Sequence, residues 1–147
     1  MVYASPTAVM SYGDDEGAVG FLLGEENQGM RCMFTMMNNA RLNVGLQGVA
    51  IAKAAYQQAA QFSLERRQGR SFVAEGPGSS AIVEHADVRR MLITMKALTE
   101  ASRALCYSTA EAIDLSRHHP DEEMREWYGM VEGLLTPMAK SWSTDIG

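Results

Sequence analysis

Only two cysteines occur in the 147 residues, Cys32 and Cys106, and neither has a partner at metal-ligand spacing. A disulfide framework and a cysteine-based metal site are therefore not expected, and the chain reads as a reduced, cytoplasmic protein. Long apolar runs are also missing: none approaches the roughly 20 residues that span a bilayer. The opening MVYASPTAV has no basic segment leading into an apolar one, so a secretory leader is not expected either. Basic residues are in deficit, with 13 Lys and Arg against 18 Asp and Glu and a formal net charge of -5. That balance excludes the broad basic surface needed for nucleic acid or an anionic membrane. What is present suits a folded domain. Hydrophobic residues make up 46% and charged residues 21%, so disorder is not expected, and the length suffices for one core.

Thr7 to Tyr12 and Ala18 to Leu23 are short β-prone runs flanking a turn cluster of Gly13, Asp14, Asp15 and Gly17, which predicts a β-hairpin. Two strands alone are not stable in water, so the hairpin is expected to pack on helices or to be the edge of a larger sheet. From about 28 to 68, apolar positions recur at Met30, Phe34, Met37, Val44, Gly48, Ile51, Ala55, Ala59 and Phe62. This spacing predicts one long amphipathic helix, started by Asn27 or the acidic pair before it. A loop rich in Gly, Pro and Ser covers 71–81. The second helix is expected over about 84–116, with a stripe of Val88, Met91, Met95, Leu98, Ser102, Leu105, Thr109 and Ile113. Asp121, Glu122 and Glu123 start a third, which carries Met124, Trp127, Tyr128, Val131, Leu134, Leu135, Met138 and Trp142. Pro137 is expected to kink or interrupt it.

The predicted fold is mainly α: an antiparallel bundle of three long helices preceded by a short β-hairpin. The β segment is placed at 1–26 and the helical domain at 27–147. Three helices leave apolar surface uncovered, and a fourth helix or a partner chain is expected to complete them. The chain is accordingly expected to be a piece of a larger protein. The eleven methionines are expected mostly as flexible core filler.

Several residues stand out chemically. SLERRQGR places Arg66, Arg67 and Arg70 at the end of the first helix. Such a cluster either complements the helix dipole or grips an anion, since guanidinium forms short, often paired hydrogen bonds to phosphate. Arg41 fills the one gap of seven in the first helix's apolar stripe. A charge there must be paired or face a polar cavity. Gly45 and Gly48 each cost a helix about 1 kcal/mol relative to Ala, which suggests close approach of a backbone or a ligand. His118, His119, Asp121 and Glu122 share a turn, but three or four convergent ligands are needed for a metal site, so they are read as solvated turn residues. EGPGSS lacks the Lys-Ser/Thr of a phosphate-binding loop.

Two stretches, EENQGMRCMFTMMNNARLNVGLQGVAIAKAAYQQAAQFSLERRQGR and VEHADVRRMLITMKALTEASRALCY, resemble the C-terminal helical domain of the acyl-CoA dehydrogenases. The preceding ASPTAVMSYGDDEGAVGFLLG is similar to the end of that family's middle β domain, and the larger bacterial members are the nearest in pattern. The resemblance implies FAD chemistry. A glutamate removes the α proton of an acyl-CoA, and the β hydrogen leaves as hydride to the flavin, giving a trans-2-enoyl-CoA. Electrons then pass to an electron-transfer flavoprotein. It also implies a homo-oligomer with FAD at a subunit interface.

Carried over residue by residue, the resemblance makes Arg66 the ligand of the FAD pyrophosphate of a neighbouring subunit, with Gln68 as a second cofactor contact. The family's phenylalanine between these positions and the glycine is missing before Gly69. Arg67 and Arg70 are expected to be solvated. In EHADV the family's glutamine is replaced by Ala86, and His85 is expected to make a hydrogen bond at the helix start. Arg41 is implied to border the acyl-CoA site, with Met37 and Asn38 beside it. The glutamate that precedes this arginine in some members is Ala40 here, and the other family position for the base lies downstream of these residues. No catalytic residue and no metal ligand is assigned, and the fragment alone is expected to be inactive. The competing reading is a non-catalytic helical-bundle module that binds a partner helix on its uncovered face.

Overall fold

The computed structural model describes residues 6–14 and 16–147. Residues 1–5 and Asp15, part of the segment expected to be β, lie outside the described residues. The chain divides into two compact units, one reaching Phe34 and one over Thr35–Gly147. In the first, the expected turn is present: the Gly17 amide donates to the Gly13 carbonyl at 3.0 Å, and both glycines have positive φ. The hairpin is not. None of the described residues lies in a strand, and the only bridge among them is the isolated pair Arg67 and Ala81. Val9, Tyr12, Val19, Phe21 and Leu23 are all exposed. A two-stranded ribbon with neither face covered does not offset the entropy of ordering it. Asn27 adopts φ 64 and turns the chain toward the first helix.

The helices are α1 (Gly29–Glu65), α2 (Ala86–His118) and α3 (Glu122–Ile146), with a 3-10 turn at Ile82–Glu84 before α2. Their ends follow local chemistry. Asp121 caps α3 by accepting from the Glu123 amide at 3.0 Å, and Glu122 and Glu123 place negative charge in its first turn. Arg117 and His118 sit in the last turn of α2, where positive charge is favourable. Pro137 does not interrupt α3, which continues from Glu122 to Ile146 around it. Packing on the neighbouring helices holds the turn that proline would otherwise open.

Register follows from the contacts in the second unit. Lys53 on α1 pairs with Glu100 on α2, while Gly45 faces Cys106, so α1 and α2 run antiparallel. Ser116 on α2 bonds Glu132 on α3, and Cys106 meets Ser143, so these two are antiparallel as well. Gly45 faces Ala139 and Gly48 faces Ser143, so α1 and α3 run parallel.

The stripes that form the core differ from the expected ones. On α1 the buried residues are Leu42, Gly45, Gly48, Val49, Ala52 and Ser63. Of the expected α1 stripe only Gly48 is among them, and Ile51 and Phe62 are each 59% exposed. On α2, Ser102, Thr109 and Ile113 agree with expectation, joined by Thr99, Cys106 and Ala112. On α3 the buried set is Thr136, Ala139 and Ser143, none of them in the expected stripe. Small side chains dominate the contact between the helices, joined by Leu42, Val49 and Ile113, while large apolar residues such as Ile51, Phe62 and Trp127 are exposed. Buried Thr99 and Thr109 satisfy their hydroxyls on the carbonyls of Met95 and Leu105 at 2.7 and 2.8 Å.

Gly48 shows why the contact is small. A Cβ added there would lie 2.2 Å from the Ser143 carbonyl oxygen, a backbone atom. One added at Gly45 would lie 3.0 Å from the Ala139 carbonyl oxygen. The two interior glycines thus let one helix backbone approach another. On the outer side, Trp127, Met130, Leu134, Met138 and Trp142 form an exposed apolar stripe along α3, three or four residues apart. A stripe of that kind is unusual on a free monomer surface. The 147-residue chain is therefore expected to self-associate, and its sedimentation coefficient should rise with concentration. A concentration-independent monomer would contradict this.

Candidate functional site

The first candidate group lies where α1 ends. Arg66 follows the last helical residue; its amide donates to the Phe62 carbonyl at 2.9 Å, and its carbonyl accepts from Ile82 at 2.8 Å. Gln68 donates its amide to the Ser80 carbonyl at 2.9 Å, and the Ser80 amide returns to Gly69 at 2.8 Å. The two ends of the 66–82 loop are thereby zipped together. Gly69 makes the turn at φ 65, a left-handed conformation that L side chains rarely adopt. That requirement gives a local reason for glycine there. Ser71 completes the clamp: its amide donates to Ser80 Oγ at 3.0 Å, and its hydroxyl donates to the Glu84 carbonyl at 2.9 Å.

On this rigid base the structure brings Arg66 and Gln68 together. Arg66 Nη2 donates to Gln68 Oε1 at 3.4 Å, and both residues are exposed. With its oxygen engaged, the Gln68 amide nitrogen is left as a donor. A guanidinium and an amide donor side by side, open to solvent, suit the oxygens of a phosphate or pyrophosphate. The residues present therefore fit the cofactor group that the resemblance implies.

Two expectations for their neighbours need correction. Arg67 is exposed but not merely solvated, since its Nη2 donates to the Ser79 carbonyl and ties the loop shut. His85 occupies the cap position of α2, yet its side chain makes no cap bond. Its Nε2 instead lies 2.9 Å from the Gln68 carbonyl, so the imidazole braces the backbone of a candidate ligand. Sequence reading missed Ser71, Ser80 and His85 as parts of this clamp. The Gly, Pro and Ser content of 71–81 marked a loop but not which hydroxyls close it.

The second candidate group lies near the start of the second unit. Asn38 and Arg41 line one side of a groove of about 410 Å³. Gly129, Glu132, Gly133, Thr136 and Pro137 of α3 line the other. Arg41 is half-buried, in keeping with a charge that faces a polar cavity. Glu132 is held from behind by the Ser116 hydroxyl at 3.0 Å. Met37 is half-buried on the same helix but does not line the groove, so the structure brings together two of the three expected substrate contacts. Ala40, with no ionisable group, is half-buried between them in sequence.

The two groups do not converge. At 1.5 Å per residue, α1 separates Arg41 from its own C-terminal end by roughly 36 Å. The junction histidines form no third site. His119 Nδ1 accepts from the Asp121 amide at 3.1 Å, and among the described residues no three His, Cys, Asp or Glu side chains gather as a metal site would need. Among the described residues no helix is long and apolar enough to cross a membrane.

Comparison with known proteins identifies the family. The family model described as acyl-CoA dehydrogenase, C-terminal domain, matches residues 27–145. A 3-methylmercaptopropionyl-CoA dehydrogenase of Ruegeria pomeroyi is 47% identical over 144 residues, which is 98% of this chain and 24% of the relative. A butyryl-CoA dehydrogenase of Syntrophomonas wolfei is 34% identical over 150 residues, 99% of this chain and 25% of the relative. A broad-specificity linear acyl-CoA dehydrogenase of Mycobacterium tuberculosis is 36% identical over 96 residues, covering 63% of this chain and 16% of the relative. The chain thus spans about a quarter of the length of the first two relatives. With the helical domain matched almost end to end, the chain belongs to the acyl-CoA dehydrogenase family.

Proposed function

We propose that the chain is the cofactor- and substrate-bordering helical part of an FAD-dependent dehydrogenase that oxidises an acyl-CoA to a trans-2-enoyl-CoA. Residues 1–26 would be the end of a middle β domain, and 27–147 the start of the C-terminal helical one. The observation that carries this reading is the separation of two chemically distinct groups on one helix. Arg66 and Gln68 offer donors to a pyrophosphate at the C-terminal end of α1. Asn38 and Arg41 border a polar groove roughly 36 Å away.

Reacting groups must lie within about 3–3.5 Å, so two groups this far apart do not act on one reacting pair within one chain. A homo-oligomer would reconcile them, with Arg66 of one copy reaching a cofactor bound chiefly by another. Bound FAD would supply the hydride acceptor. The contribution of this chain is to hold and orient: Arg66 and Gln68 on the cofactor's anion, and Asn38 and Arg41, with Met37 beside them, on the acyl-CoA. The family resemblance puts the general base outside these residues, since one family position for it is Ala40, which has no group that takes a proton, and the other lies downstream. Electrons would leave to an electron-transfer flavoprotein. Both cysteines are free thiols, Cys32 exposed and Cys106 buried, which supports a cytoplasmic location.

The test uses a longer protein that contains this chain. After gentle purification it should show flavin absorbance, bleach anaerobically on addition of a short-chain acyl-CoA, and release enoyl-CoA when an electron acceptor is present. The 147-residue chain alone should release none. A longer protein with neither flavin nor enoyl-CoA formation would remove this reading and leave the partner-binding helical module. Rapid reoxidation by oxygen would make the enzyme an oxidase.

A further inference from the structure

The loop between α1 and α2 carries an aromatic ring that neither the turn nor the core calls for. The family resemblance rests on stretches that end at Arg70 and resume at Val83, so Phe72 lies in none of its motifs. The Ala74 amide donates to the Ser71 carbonyl at 3.1 Å, which makes residues 71–74 a tight turn with Phe72 and Val73 at its corners. Such corners favour Pro, Asn, Asp or Gly. Ser71 suits its own place in the turn, since its hydroxyl also accepts from the Val73 amide at 3.3 Å. Ser71 and Ser80, which pin the base of the loop to each other, are both buried. Phe72 nevertheless has a relative exposure of 109%, and Val73 is exposed beside it. The ring thus stands on a fixed backbone and packs on no part of the described chain. A local choice that serves neither turn nor core marks a functional position.

The neighbours of the ring narrow what it meets. Gln68 lies four residues before it, so the two backbones are within roughly 14 Å even at full extension. The left-handed turn at Gly69 shortens that span. Arg66 and Gln68 present their donors to a pyrophosphate from the same clamp. An isolated phosphate would leave Phe72 bare, and an alkyl chain would leave Arg66 unmatched. A dinucleotide satisfies both, because its pyrophosphate carries an aromatic ring at either end. Of those two rings the flavin reacts and has to be shielded from water, while the adenine only anchors. A fully exposed turn corner suits the anchoring ring. We infer that Phe72 stacks on the adenine of the FAD whose pyrophosphate Arg66 and Gln68 hold. Phe72 is then a positioning contact that the clamp orders in advance, so that little freedom is lost on binding. The inference rests on the function proposed above and adds to it the residue that reads the adenosine half.

The test uses a longer protein that contains this chain, freed of flavin and titrated with FAD, ADP and FMN. ADP carries the adenine and pyrophosphate without the flavin, and FMN carries the flavin without the adenosine. Phe72→Ala should weaken FAD and ADP alike, by about tenfold, the scale of one base stacked on one aromatic side chain. FMN affinity should not change. Phe72→Tyr keeps the ring and should bind all three as the wild type does. The fold is not at risk, because the side chain packs on nothing, and the denaturation midpoint of Phe72→Ala should match the wild type. Unchanged FAD or ADP affinity in Phe72→Ala overturns the inference, as does a wild type that does not bind ADP. An equal loss of FMN affinity moves the ring contact to the flavin and overturns the adenine assignment. Weak FAD binding in Arg66→Ala beside normal binding in Phe72→Ala sinks this inference alone. A longer protein that takes up no flavin sinks the proposed function with it.

Discussion

Gly48→Ala should unfold the bundle well below the wild-type denaturation midpoint. The added methyl would lie 2.2 Å from the Ser143 carbonyl oxygen and 2.7 Å from its carbonyl carbon. Both are backbone atoms of α3, so no side-chain rotation relieves the clash, and α1 and α3 must separate. Overpacking of this kind costs about 1–3 kcal/mol and occasionally more. Alanine returns roughly 1 kcal/mol of helix propensity, which does not offset a contact this short. A net loss of about 2 kcal/mol is expected, read as a lower urea midpoint with little change in slope. Gly45→Ala should cost less, because its nearest approach is 3.0 Å and one of its neighbours is the Cys106 sulfur rather than backbone. Gly129→Ala, in open space, should be neutral or stabilising. Equal midpoints for Gly48→Ala and Gly129→Ala would show that α1 and α3 do not approach as closely as described.

The same glycine shows how far the sequence could be read. Helix positions were legible because their signals are local: acidic residues before α3, Gly and Pro in the 71–81 loop, and apolar recurrence within each helix. The buried faces were less so. An apolar count weights Ile51, Phe62 and Trp127, yet those are exposed, while Gly45, Ser102 and Ala139 make the contact. Periodicity reports that a helix has an apolar side. It does not say whether that side meets the next helix or a surface supplied by other parts of a longer protein. The hairpin failed for a related reason, because its runs are apolar without having a face to pack on. At the candidate sites, Arg41 was visible as a charge out of pattern. Its groove partners Glu132 and Thr136 were not, because α3 joins α1 only through tertiary packing.

Arg66→Ala, made in a longer protein that contains this chain, should weaken FAD retention by about 10- to 100-fold. The estimate follows from a hydrogen bond to a charged group, worth roughly 1.5–3 kcal/mol. Arg70→Ala should leave retention near wild type, which separates a specific ligand from the general positive field of the three arginines. Arg67→Ala is a different control. Its guanidinium ties the loop to the Ser79 carbonyl, so its loss should loosen 66–82 and lower stability while affecting the cofactor only indirectly. His85→Ala removes the ring from the Gln68 carbonyl and should weaken FAD modestly without touching the anion. Ultrafiltration followed by flavin quantitation reads each variant, and lysine at position 66 sharpens the result. Lysine keeps the charge but not the planar fork, so it should restore only part of the affinity. If Arg66→Ala and Arg70→Ala retain FAD equally, the cluster acts as a field at the end of α1. Arg66 would then have no more claim on the pyrophosphate than its neighbours.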